Sequence, residues 1–143
     1  MKTRYSSLVS VKQNSMKKSE RVVQSANVTL NSAAVALELS KSSLRELDEP
    51  THGSMQDLLA ARALLDAKRA EIRHNEEWVA FAKKQLDEAK EQLKFDMIEY
   101  EKFKYLELQE IKKMLAEQKL KEAKELDEVA LMTHNQNKTK KAS

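Results

Sequence analysis

Residues 55–100 read MQDLLAARALLDAKRAEIRHNEEWVAFAKKQLDEAKEQLKFDMIEY. An apolar side chain returns at every seventh position: Leu58, Leu65, Ile72, Val79, Leu86, Leu93, Tyr100. Between these positions and on to about Thr133 the residues are mostly Ala, Glu, Lys, Gln and Leu, all strong helix formers. No Gly or Pro interrupts them. The stretch predicts one helix from 55 to about 133, on the order of 115 Å long at about 1.5 Å per residue. A compact domain of 143 residues has no room for such a helix. The reading is therefore an extended all-α protein.

Composition agrees. The chain has one Gly, one Pro and 34% charged residues, the profile of a long helix or coiled coil. Aromatic residues are few, which argues against a large three-dimensional core. The lack of Cys excludes disulfides and thiolate metal sites and fits a reducing compartment. The first twenty residues are polar and hold no apolar run suited to a signal peptide. No segment approaches the roughly 20 apolar residues of a membrane span. The expectation is a soluble, cytoplasmic protein.

The net charge of +3 is unevenly placed. Lys2, Arg4, Lys12, Lys17, Lys18 and Arg21 face one acid, Glu20, in the first 21 residues. Lys138, Lys140 and Lys141 close the chain without an acid. Basic ends suit an acidic partner, nucleic acid or an anionic membrane surface, and equally serve plain solubility.

The first helix is expected from about Tyr5 to Asp48. One seam reads Val9, Met16, Val23, Leu30, Leu37, Leu44. The other reads Tyr5, Lys12, Ser19, Ala26, Ala33, Ser40, Leu47. Alternating spacings of three and four between them are the coiled-coil signature. One seam is large and the other mostly small, so a partner helix is expected to pack tightly between Ser19 and Ser40. Ser25, Asn27, Thr29, Asn31 and Ser32 are poor helix formers, so this helix depends on that partner.

The only Pro and the only Gly lie together in Asp48-Glu-Pro-Thr-His-Gly53. Ser54 with Asp57 then forms an expected capping box. A short turn over 49–54 between two long helices implies an antiparallel two-helix coiled-coil hairpin with unequal arms, the second helix much longer. With the turn centred near Thr51, residue i faces roughly residue 103 − i. Val9 then faces the Lys94 region, Leu44 faces Leu59, and Tyr5 runs out opposite about Ile98. From about Glu99 to Thr133 the second helix has no partner within the chain, roughly 50 Å of helix.

That overhang carries Tyr100, Phe103, Tyr105, Leu106, Leu108, Ile111, Met114, Leu115, Leu120, Leu126 and Val129. One stripe, Met97, Tyr100, Lys104, Leu108, Ile111, Leu115, Gln118, Glu122, Leu126, Val129, repeats near eleven residues, which predicts a nearly straight path. Exposed apolar surface on this scale marks an interface, either with a partner or with a second copy of the chain. From His134 the sequence is polar and basic and is expected to be a disordered tail, 134–143.

His74, Phe81 and Phe95 share one heptad position, with Trp78 on the adjacent row. They either flank and cover the seam or form a second partner surface, since aromatic anchors dominate interface energies. Glu71-Ile-Arg-His74 has the Glu-x-x-His spacing of helical di-iron sites, but the second such motif and the facing carboxylates are missing. His52, His74 and His134 are scattered, no Gly-rich phosphate loop exists, and a two-helix hairpin has no cavity that excludes water. The chain is read as non-enzymatic, without metal or cofactor. Its basic residues are not interleaved with stacking aromatics, which argues against nucleic acid.

Tyr5 shortly before Leu8-Val-Ser-Val-Lys12, a first helix, a short break and a longer second helix rich in Gln, Glu, Lys and Leu resemble the FliJ family of the bacterial flagellar type III export apparatus. The likeness spans nearly the whole chain in architecture and is best locally over residues 5–23. The Ser- and Asn-rich first helix departs from the family's more charged composition. The resemblance implies an antiparallel coiled coil similar to the central stalk of rotary ATPases. It further implies a stalk in the pore of the hexameric flagellar export ATPase that promotes ring assembly. Contacts with the membrane protein of the export gate and with export chaperones are implied too, as is a place in the cytoplasm at the inner membrane of the flagellar base. The candidate partner-binding residues are Tyr5, Leu8, Lys12, Trp78, Phe81, Tyr100, Phe103, Leu108, Ile111 and Leu115. The alternative is a homodimeric coiled-coil scaffold or adaptor.

Overall fold

The structure, a computed structural model, describes residues 2–48 and 52–142. Two helices account for nearly all of it, α1 (Ser6–Arg45) and α2 (Met55–Ala142), with no strand among the described residues. The all-α hairpin with a much longer second helix follows from the two heptad patterns. The chain divides into two units, one of Asn14–Ile98 and one of Met1–Gln13 with Glu99–Ser143.

In the unit Asn14–Ile98 the seams are the ones the heptads mark. Ser19, Ala33 and Ser40 of α1 are buried, as are Asn75, Ala82, Leu86 and Ala89 of α2. Val23, Leu30, Leu37 and Leu44 are half-buried between them. Among the described residues no large side chain is fully enclosed, because two helices alone cannot surround one. Cross-helix hydrogen bonds define the register. The Asn75 side chain donates to Ser40 Oγ (3.1 Å) and to the Ala36 carbonyl (3.3 Å), and the Ser19 hydroxyl donates to the Asp96 carboxylate. Position i of α1 therefore faces about position 113 − i of α2. Large residues of one helix then meet small ones of the other: Val23 is set across from Ala89, Leu30 from Ala82, and in the opposite sense Ala26 from Leu86 and Ala33 from Val79.

This register corrects the 103 − i pairing that a tight turn at Thr51 implies. The helix ends earlier than expected, at Arg45 rather than Asp48. Leu47 bonds back to the Leu44 carbonyl (3.2 Å), a tightened last turn. A connection of nine residues then separates the helices. Leu47 and Asp48 run on beside Leu58, Ala61 and Leu65, so the first turns of α2 are flanked by connection, not by helix. Of the expected turn at 49–54, residues 49–51 lie outside the described residues. The Ser54–Asp57 capping box is present: Asp57 N–H donates to Ser54 Oγ (3.2 Å) and Ser54 N–H to Asp57 Oδ2 (3.4 Å). Gly53 precedes it at φ 154°, and a Cβ there would sit 3.2 Å from the Asp57 Cβ.

In the other unit, the start of α1 lies along α2 from Glu99 to about Met114. Arg4 pairs with Glu110 (3.7 Å) and Lys12 with Glu99 (3.6 Å). The heptad rows continue here as Tyr100, Phe103, Glu107, Glu110 and Met114, all half-buried. The eleven-residue stripe expected from Met97 onward is thus not the packing face, since Met97 and Leu108 point to solvent. The stretch without α1 beside it begins near Leu115 rather than Glu99, because the register is shifted by about ten residues. From 115 to 140 every residue is exposed. The tail expected to be disordered from His134 belongs to α2, which runs to Ala142. Nothing after Gly53 breaks a helix, and the Thr133 and Thr139 hydroxyls bond the carbonyls of Val129 and Asn135 one turn back. Lysines at the end favour the C-terminal pole of the helix.

Two outcomes test this packing. Ala33→Leu overfills a fully buried site and should lower stability by about 1–3 kcal/mol in thermal unfolding, whereas Val28→Ala on the exposed face should change it little. Ser54→Ala should cost about 1 kcal/mol, with faster hydrogen exchange confined to the first turns of α2.

Candidate partner-binding surfaces

The residues singled out in the sequence fall into three groups. Tyr5, Lys12, Tyr100 and Phe103 are half-buried in the unit of the chain ends. Lys12 Nζ lies 5.5 Å from the Phe103 ring centroid as well as beside Glu99, and the Arg4 guanidinium lies 5.0 Å from the Tyr5 ring centroid. Cation–π contacts and ion pairs hold these side chains within the hairpin. They serve the intramolecular seam first. Leu8, next to them in sequence, is exposed. Arg4 and Lys12 spend part of the basic charge of the first segment on acids of α2.

Leu108 and Leu115 are exposed, while Ile111 is half-buried near the end of the seam. The heptad positions after Met114 are Glu117, Lys121, Lys124 and Glu128, so coiled-coil packing in the register of α1 stops there. A different face takes over. Leu115, Ala123, Leu126 and Ala130 lie within one sector of the helix, with Leu120 and Val129 at its two edges, on the side away from the seam. Leu120 is 61% exposed, Leu126 69% and Met132 66%.

The third group is Trp78 and Phe81 in the unit Asn14–Ile98. Trp78 is half-buried beside the seam and set level with Val35 and Ala36 by the register. Phe81 is 61% exposed, as is most of Phe95 two heptads on. Their common heptad position makes an interrupted aromatic shoulder, Phe81 and Phe95 standing about 21 Å apart along α2 with Glu88 between them and Trp78 on the adjacent row. On α1, exposed Val35 and Leu39 form a patch with Ala34 and Ser42. Val22, Val28, Val35 and Leu39 are apolar residues off both seams. That departure from amphipathic spacing is the signal by which they were legible and overlooked.

Among the described residues no group of three or more His, Asp or Glu is placed to hold a metal ion. A cleft of about 390 Å³ at the start of α2 is lined by Leu47, Leu58, Leu59, Leu64 and Leu65 with Asp48 and Arg62 at its edge. It offers mainly apolar contact, with one carboxylate and one guanidinium. No described helix is long and apolar enough to cross a membrane. The surfaces suit protein contacts, not chemistry on a small molecule.

Residues 1–139 match the family model described as flagellar FliJ protein. No curated protein and no solved structure matches the chain. A match over almost every residue, together with the unequal helical hairpin, shows that the chain belongs to the FliJ family, non-enzymatic components of the flagellar protein export apparatus.

Proposed function

We propose that this chain is a stalk-like regulator of the hexameric export ATPase, and that the end of α2 from Leu115 onward is the element that docks in the ring. One observation carries the reading: residues 115–140 are helical and exposed throughout, and they carry a leucine- and alanine-lined face with charged residues at the positions where α1 would have packed. A face turned away from the hairpin seam fits a surrounding partner better than an extension of the same coiled coil. Lys138, Lys140 and Lys141 follow it in the sequence, and basic charge there favours an acidic surface. The aromatic shoulder of Phe81 and Phe95 is a separate surface on the other unit, and we assign to it the second class of partner, the export gate or the substrate chaperones. Such a protein works in the cytoplasm against the inner membrane at the flagellar base.

The test uses the full-length chain with the purified export ATPase. Leu126→Asp with Val129→Asp should weaken ATPase binding about tenfold or more and remove its effect on ATP hydrolysis and ring assembly, with circular dichroism unchanged. Phe81→Ala with Phe95→Ala should leave the ATPase response intact and reduce binding of the gate or chaperone. An unaltered ATPase response in the first variant sinks the docking assignment. A tight homodimer by sedimentation, dissociated by the same two changes, would favour the scaffold reading instead. Tyr100, Phe103 and Ile111 are poor test positions, because they sit half-buried in the hairpin.

A further inference from the structure

We infer that the hairpin has a second register, one heptad away, and that the buried Asn75–Ser40 contact is what holds it in the observed one. The apolar seams alone do not choose. Sliding α1 by seven residues along α2 sets Val23 across from Ala82 instead of Ala89, and Ala26 and Ala33 across from Val79 and Ile72 instead of Leu86 and Val79. Large still meets small in these central layers. The nine residues between Arg45 and Met55 are more than enough to close the shorter gap.

Polar groups break the degeneracy. In the observed register Asn75 Nδ2 is buried and donates to both Ser40 Oγ and the Ala36 carbonyl. Ser40 in turn donates to the Leu37 carbonyl (2.8 Å), so its oxygen is oriented to accept. After the slip Asn75 lies level with Ala33, which has no side-chain acceptor, and a buried amide loses a partner. Asp96 leaves Ser19 and comes level with Lys12, so its charge is not stranded. Asn75 is therefore the discriminating residue, and Ser19–Asp96 is a second tie at the same three-heptad spacing on both helices. The slipped state leaves one more heptad of α2 without α1 alongside. The hairpin thus has a built-in means of changing how much of α2 is free.

The chain contains no Cys, so introduced cysteine pairs report the register directly. Val23→Cys with Ala89→Cys reads the observed register, and Val23→Cys with Ala82→Cys reads the slipped one. In the otherwise unchanged full-length chain the first pair should oxidise and the second should not. Adding Asn75→Ala, which matches the alanines at 82 and 89, should raise the yield of the slipped pair relative to the first by about tenfold, the scale of one buried hydrogen bond. Ser40→Ala should move the ratio the same way by a similar amount, since a carbonyl of α1 lies level with Asn75 in both registers and only the Ser40 hydroxyl tells them apart. A ratio unchanged by Asn75→Ala overturns the inference. If Asn75→Ala loses helicity, the Ser40→Ala ratio decides by the same criterion.

Discussion

The close approach of two helices is the constraint from which the rest of this molecule follows. Helices come this near only where each layer pairs a large side chain with a small one, and both seams are written to do so. Ala33 and Ala82 disappear from solvent while the leucines beside them stay half-open. A two-helix protein has no third layer to finish the burial. Its stability comes from length and from many half-buried layers, each contributing a little.

The burial is not uniform along the chain. Every fully buried residue among those described belongs to the unit Asn14–Ile98. In the unit of the chain ends, α1 is joined to α2 through Arg4–Glu110, Lys12–Glu99 and the ring contact with Phe103. Half-exposed ion pairs of this kind contribute about 1 kcal/mol each and weaken with salt. Local opening is therefore easiest where α1 begins, and this is the unit that carries the lone end of α2.

Among the described residues the features open to a partner are surfaces. Two apolar surfaces sit on separate units. One is the face from Leu115 to Val129, and the other is the shoulder of Phe81 and Phe95. Separate surfaces can hold two partners without competition for the same residues.

Much was legible from residue order alone. The two seams of α1, the seam of α2, the Ser54–Asp57 cap and the all-α hairpin all follow from periods of three and four and from one Pro–Gly break, which are local properties. The exposure of the candidate contact residues was legible only in part. Leu8, Phe81, Leu108 and Leu115 are exposed as a contact needs, but Tyr100, Phe103 and Ile111 are drawn into the hairpin. The reason is register. A heptad repeat is commensurate with itself, so the sequence leaves the slide of one helix along the other undecided, and the turn residues suggested a tighter closure than the one adopted. Only the folded chain decides it, where Asn75 reaches Ser40 and Ser19 reaches Asp96. That choice moves the start of the free helix from Glu99 to about Leu115, because each residue of slide uncovers or covers the same length of α2.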